Sequence, residues 1–143
     1  MAELTYRHAV KDDCDEILRL VKELAEFENL LDQVNITSEN TSKLIGYLLY
    51  FWSYGTFTGR VLYVEDLYVS QNHRRRGVAS ALWDFAMKIA LEKGCKRMQW
   101  VVLDWNTTAV AFYEKLGAVN LSKKEGWLIY RLNEDDIRAA ITG

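Results

Sequence analysis

No proline occurs among the 143 residues, where ordinary usage of about 5% predicts roughly seven. Cysteine is almost as scarce. Cys14 and Cys95 are too few for a disulfide framework or a metal site, and such a pair fits a reducing compartment. Neither charge dominates. The chain has 18 Lys and Arg against 20 Asp and Glu, a net charge of −2. A general nucleic-acid binder is usually basic overall, so no nucleic-acid partner is expected. Long apolar runs are missing as well. The longest, around Leu44 to Trp52, falls well short of the roughly 20 residues of a membrane span and is aromatic and strand-like. No membrane partner is expected. The opening MAELTYRHAV carries charges where a signal peptide needs an apolar run, so a cytoplasmic location is expected. Repeats, linkers and low-complexity tracts are absent from the pattern.

What is present is the composition of a folded domain. Half of the residues are apolar, 13% are aromatic and 27% are charged, which excludes disorder as the main state. The length fits one domain, residues 1–143, and a chain of this size buries roughly 70% of its unfolded surface.

Leu4 to His8 alternates apolar and polar residues and predicts a short strand. Asp12 and Asp13 suit a helix start, and Ile17, Leu20, Val21, Leu24 and Phe27 recur at helical spacing, so a helix is expected over about Asp12–Glu28. Leu30 to Asn40 is polar and weakly patterned. Leu44–Tyr54 and Val61–Val69 read as two strands joined by a short Gly-punctuated link, an antiparallel hairpin. A second amphipathic helix starts at Val78 and closes at Lys93-Gly94. Met98 to Leu103 is a continuous apolar run suited to a buried strand. Thr107–Leu116 reads as a helix ending at Gly117, Trp127–Leu132 as a last strand, and Asn133 as the cap of a C-terminal helix. This order predicts an α/β chain with a mixed sheet and helices packed on it.

The junction after Val69 carries the most chemistry. A strand runs into Ser70 to His73, then Arg74-Arg75-Arg76-Gly77-Val78-Ala79-Ser80, then a helix. Backbone N–H groups at such a helix start suit a pyrophosphate, and the helix dipole favours negative charge there. Gly77 and Ala79 permit close approach to the backbone, and the three arginines add cationic donors. A solvated basic turn is the alternative, and a nuclear-localisation reading of His73 to Arg76 is weaker. No Gly-Lys-Ser/Thr follows, so this is not a P-loop, and the three-glycine dinucleotide spacing is absent.

The Arg74-x-x-Gly77-x-Ala79 pattern resembles the acetyl-CoA loop of the GNAT superfamily of N-acetyltransferases. Trp105-Asn106, followed by a helix carrying Phe112-Tyr113 and ending at Leu116-Gly117-Ala118, resembles that superfamily's second signature. Lys22 to Glu28, Val64-Glu65-Asp66, Val102 to Asn106 and Glu125-Gly126-Trp127 resemble the diamine acetyltransferase group, most closely its thialysine N-epsilon-acetyltransferase branch. The resemblance covers nearly the whole chain, with one gap. Family members carry a further loop, a helical piece and a strand between the regions matching Asn40 and Thr41. Its absence would account for the missing prolines and would leave the Leu4–His8 strand without its neighbour.

The resemblance implies the acyl-CoA N-acyltransferase fold, a central mixed and splayed sheet flanked by helices, here lacking one N-terminal strand. It implies transfer of an acetyl group from acetyl-CoA to the amine of a small cationic substrate, by direct attack and without a metal. A lysine-type amine has a pKa near 10, so a base must help deprotonate it at neutral pH. Glu65 matches the position contacting the amine. Asp66, its neighbour on the strand, is at most an indirect contributor. Tyr113 matches the general acid that protonates the departing thiolate. Leu67, Tyr68 and Val69 match backbone contacts to the acetyl-pantetheine arm, where an N–H can hold the thioester oxygen. Arg75, Arg76, Gly77, Val78, Ala79 and Ser80 match the pyrophosphate loop. Asn106, Thr107, Thr108 and Ala109, with Tyr113, match positions lining the CoA arm. Phe27, Glu28, Gln99, Trp100, Val101 and Glu125 match acceptor contacts, where acidic groups suit a cationic amine.

By the same resemblance a homodimer is expected. His8 and His73 read as structural or solvent-facing, and Trp52, Trp83 and Trp100 as packing or dimer surface. The acceptors expected are thialysine or a related lysine analogue first and polyamines such as spermidine or spermine second. The competing reading is a catalytically impaired short form that acts as a regulatory or dimer-partner subunit. Peptide acetylation would want a wider acceptor groove.

Overall fold

β-Branched and aromatic residues around a Gly-rich link form the expected hairpin. The computed structural model describes residues 5–29 and 44–142. In it β1 (Gly46–Gly55) pairs antiparallel with β2 (Gly59–Val69), from Gly46↔Val69 to Gly55↔Gly59. The Thr58 N–H closes the turn on Gly55 O at 3.1 Å. A third strand, β3 (Arg97–Gln99), pairs parallel to β2 through Val61↔Arg97, Leu62↔Met98 and Tyr63↔Gln99. The sheet among the described residues is thus mixed, in the order β1-β2-β3. The expected hairpin and the parallel pairing of Val61–Val69 with the Met98 region are both present.

The helices carry the predicted apolar faces. A 3-10 turn at Lys11–Asp13 leads into α1 (Cys14–Glu28), and α2 spans Val78–Glu92. Leu20 of α1 packs with Tyr47 and Tyr68 of the hairpin, with Val21, Leu24 and Leu44 around them. Glu16 is buried, and its charge is met by Arg19 at 3.0 Å. Arg19 also pairs with Glu23 and donates to Leu44 O at 2.7 Å, tying α1 to the start of the hairpin. Trp83, Ala86, Ile89 and Ala90 form the buried stripe of α2. Val61 and Leu62 are both buried although neighbouring strand residues face opposite ways, so β2 is covered on both faces at this end. Gly94 ends α2 with φ +70°, and Cys95 N–H bonds Ala90 O at 2.8 Å, a closure a residue with a Cβ would strain.

The chain divides into two compact units, Met1–Val101 and Val102–Gly143. The second holds α3 (Thr107–Lys115), α4 (Leu121–Glu125) and α5 (Glu134–Thr142). α4 has no counterpart in the predicted order. Among the described residues no helix is long and apolar enough to cross a membrane.

Three expected strands are corrected. Residues 5–10 are irregular, and Arg7 there pairs with Asp13 at 2.6 Å instead of extending a ladder. The predicted Met98–Leu103 strand shrinks to Arg97–Gln99, and Val101, Val102 and Leu103 are exposed rather than buried. Trp127–Leu132 has strand-like residues but forms no strand. In each case the apolar pattern is right for a strand, yet among the described residues the ladder is missing or, for the Met98 run, ends at Gln99, and pairing rather than pattern defines a strand. Leu4, the Leu30–Asn40 stretch and the junction after Asn40 lie outside the described residues.

Candidate active site

The loop between β2 and α2 is built to present backbone N–H groups. Residues Gln71–His73 make a 3-10 turn, Arg75 is left-handed at φ +62°, and Gly77 follows at φ +78°. The first bond of α2 runs from Ala81 N–H to Gly77 O at 3.0 Å, so the N–H groups of Val78, Ala79 and Ser80 have no partner within the helix. Nothing lies within 4 Å of a Cβ placed on Gly77. This is open space over a helix start, beside the exposed Arg75 and Arg76. The arrangement fits an anionic group such as a pyrophosphate.

Replacing Gly77 by alanine tests the loop. An L-residue in the left-handed region costs roughly 1–2 kcal/mol, so the free loop relaxes and binding must restore it. If the loop holds the pyrophosphate of acetyl-CoA, as the sequence resemblance implies, Gly77→Ala should weaken that binding about 5- to 30-fold, read by titration calorimetry. An unchanged Kd would remove the loop from the site.

β2 is irregular where it matters. Leu49 pairs with Asp66 and Tyr50 with Val64, so Glu65 is the extra residue of a β-bulge with no partner across the hairpin. Its ladder to β3 stops at Tyr63↔Gln99, while β2 runs on to Val69. Glu65 therefore sits exposed just past the last parallel pair. Bulges commonly re-aim a side chain beside an active site.

On the α1 side a second set of acids gathers. Tyr47, itself buried, donates its hydroxyl to Asp66 Oδ2 at 3.1 Å. Burial pushes the Asp66 carboxyl up, opposed by the Tyr47 hydrogen bond, with the Glu65 charge adding to the rise. The Glu28 carboxyl is raised by burial and then by the charge of Asp66. Burial, followed by the Asp66 charge, lifts the Tyr47 phenol well above its ordinary range. Two carboxyls and a phenol, each half-buried or buried and interacting with one another, make a place that gains by receiving a cation.

The remaining expected residues of the first unit fall as follows. Phe27 and Glu28 close α1. Leu67, Tyr68 and Val69 end β2, with Tyr68 and Val69 buried. Trp100 packs edge-on against the buried Trp83 at 4.7 Å between ring centroids, so its ring is part of the packing on α2. Gln99 ends β3, and Val101 is exposed.

In the second unit, Asn106 caps α3, its Oδ1 accepting from Ala109 N–H at 3.2 Å. Thr107, Thr108 and Ala109 are the first turn. Tyr113 lies on α3, and burial pushes its phenol up to about 12. Glu125 ends α4 and accepts from Trp127 Nε1 at 2.8 Å. Among the described residues no group of His, Cys, Asp and Glu is arranged to hold a metal ion.

Comparison with known proteins decides the family. Residues 5–118 match the model of the Acetyltransferase (GNAT) family. The chain belongs to the GNAT acetyltransferase family. It is 36% identical over 165 aligned positions to the thialysine N-epsilon-acetyltransferase of Sus scrofa, covering 96% of this chain and 97% of that protein. It is 33% identical over 157 positions to the human spermidine/spermine N(1)-acetyltransferase-like protein 1, covering 92% of this chain and 23% of the relative. An integron cassette protein from the mobile metagenome of V. cholerae shares the fold at TM-score 0.75, with 20% identity and 96% of each chain covered. The alignment with the pig protein, at 165 positions, is longer than this chain of 143 residues, so it runs opposite stretches that this GNAT protein lacks.

As a GNAT acetyltransferase the protein is an enzyme, and its family uses acetyl-CoA as the acetyl donor. Sequence reasoning missed two features of it. The bulge at Glu65 leaves no mark, because Val61 to Val69 reads as an unbroken strand. The Tyr47–Asp66 bond joins residues 19 apart that only the hairpin register brings together.

Proposed function

We propose that this acetyltransferase moves the acetyl group of acetyl-CoA to the primary amine of a small cationic substrate. Thialysine or a related lysine analogue is the first acceptor, and a polyamine such as spermidine or spermine the second. The bulge carries this reading: it leaves Glu65 exposed and without a partner across the hairpin, just past the end of the β2–β3 ladder. There Glu65 takes the amine proton, directly or through water, because an ammonium has no lone pair to attack with. Glu28, Asp66 and Tyr47 supply the negative surroundings that a cationic acceptor favours. Phe27, Gln99, Val101 and Glu125 complete the acceptor positions.

The donor is held by Arg75 to Ser80 at its pyrophosphate, by the backbone of Leu67 to Val69 along its arm, and by Asn106 to Ala109. Tyr113, whose phenol burial raises to about 12, is protonated at neutral pH as any phenol is, and it supplies that proton to the departing thiolate. The names of the pig and human relatives support the acceptor class.

Thermal unfolding with and without acetyl-CoA tests the cofactor half of the reading. At about 100 times Kd the ligand should stabilise the fold by about 2.7 kcal/mol. For a chain of this size that is a shift of several degrees. A cooperative transition that acetyl-CoA leaves unmoved would reject it. The second reading, a short form acting as a partner or regulatory subunit, is favoured by the stretches lacking against the pig relative. It predicts acetyl-CoA binding without turnover.

A further inference from the structure

Arg74 opens the basic loop, but its side chain turns back toward α1 and the sheet. Its guanidinium carbon lies 5.0 Å from the centre of the Phe27 ring and 5.6 Å from that of Tyr68. Its Nε donates to Val69 O at 3.0 Å, bridging the two ends of the turn through Gln71–His73. Tyr68 in turn donates its hydroxyl to Glu23 Oε2 on α1 at 3.0 Å. One cation thus touches the end of α1, the end of β2 and the loop that leads into α2.

We infer that Arg74 is a positioning residue that ties the acceptor end of α1 to the acetyl-CoA loop, so that Phe27 governs affinity for the donor. This rests on the reading of Arg75 to Ser80 as the pyrophosphate loop. A guanidinium is planar and weakly hydrated, which suits stacking on a ring while its Nε holds a carbonyl. The three backbone N–H groups at the start of α2 bind an anion well only if the loop before them is already in place. Arg74 holds that loop from one end. Phe27 and Tyr68 hold Arg74. Arg74 is exposed like Arg75 and Arg76, but its guanidinium is turned to this bridge, while the other two make no contact of that kind among the described residues.

The test measures acetyl-CoA Kd by titration calorimetry, with acceptor KM and kcat alongside, for Phe27→Leu, Phe27→Tyr, Arg74→Lys and the Phe27→Leu/Arg74→Lys pair. Exposed cation–aromatic contacts are weak, so Phe27→Leu should weaken acetyl-CoA about 2- to 5-fold, while Phe27→Tyr, which keeps the ring, should not. Arg74→Lys keeps the charge but loses the stacked plane and the Nε bond, and should weaken it further. The pair should be no weaker than Arg74→Lys alone, since both changes break one link.

Three results overturn the inference: acetyl-CoA affinity unchanged by Phe27→Leu, affinity unchanged by Arg74→Lys, or additive losses in the pair. Additive losses would make Arg74 a direct ligand of the donor and Phe27 an acceptor contact only. Circular dichroism confirms that each variant is folded, and Phe27→Tyr carries the comparison where leucine disturbs α1. Failure of the unaltered protein to bind acetyl-CoA is a different outcome and rejects the loop assignment itself.

Discussion

Tyr113→Phe should lower kcat by about 100-fold or more while acetyl-CoA Kd stays within about twofold of the unaltered protein. The change removes one hydroxyl and leaves the ring, so packing on α3 and donor binding are nearly preserved. What is lost is the proton for the departing thiolate. Burial pushes the Tyr113 phenol up to about 12, so it carries that proton throughout the neutral range. A thiol is an ordinary acid near 8.5, which makes a phenol near 12 a reluctant donor in water. Desolvation of the bound thiolate would raise its proton affinity too. The same shift fixes the pH dependence. Tyr113 loses its proton only as pH nears 12, so it should produce no falling limb of kcat below about pH 10. Activity that falls between about pH 8 and 10, and does so no longer in Tyr113→Phe, would contradict the assigned environment. An unchanged kcat in Tyr113→Phe would remove it from the mechanism.

Glu65→Gln is expected to have the second large effect, and one that depends on pH. A lysine-type amine with a pKa near 10 is unprotonated in about one molecule per thousand at neutral pH. That fraction sets the ceiling on what a base can contribute, roughly 1000-fold in kcat/KM. The deficit of Glu65→Gln should then narrow by about tenfold per pH unit as the solution itself deprotonates the amine. Glutamine is isosteric, and Glu65 is exposed with no strand partner, so the fold should survive the change. A deficit that is the same at about pH 7 and pH 9.5 would assign Glu65 to binding the cation rather than to taking its proton. No deficit at either pH would move the base elsewhere, with Asp66 the nearest carboxylate on β2.

The parts of the fold legible in the sequence are those that local physics sets. α1 and α2 follow from apolar residues at helical spacing, and the end of α2 from Gly94. The hairpin follows from two aromatic-rich runs around Gly55 and Gly59. Asn106 and Gly117 bracket α3 as a cap and a stop.

The parts not legible depend on a distant partner. Trp127–Leu132 and Leu4–His8 have the residues of strands, but whether such a segment is a strand depends on a neighbour that no local pattern reveals. Of Met98–Leu103 only Met98 and Gln99 pair with β2, the last pair being Tyr63↔Gln99, and no local pattern marks where a ladder ends. α4 carries local signals in Asn120, which accepts from Lys123 N–H at 3.1 Å, and in Gly126, which stops the helix at φ +76°. Its five residues are too few for periodicity to register.

The candidate site divides in the same way. The Arg74–Ser80 loop and the Asn106–Tyr113 helix are runs of adjacent residues, so their types and spacing expose them. The acidic group around Asp66 and the Arg74 bridge join residues from α1, β1, β2 and the loop. No spacing along the chain marks either. The sequence also reads Asp66 as subordinate to Glu65, while the hairpin register gives each its own setting: Glu65 unpaired at a bulge, Asp66 held by Tyr47.

The central claim is that this chain, shorter than its alignment with the pig relative, still transfers acetyl from acetyl-CoA to a small cationic amine. Release of free CoA thiol, followed with acetyl-CoA alone and with thialysine, spermidine, a neutral amine or a lysine-containing peptide added, tests it directly. The account predicts saturable release that depends on thialysine or a close lysine analogue, weaker release with spermidine, and little with the neutral amine or the peptide. Binding of acetyl-CoA with no amine-dependent release would contradict it and leave the chain a partner subunit of the family rather than a working enzyme.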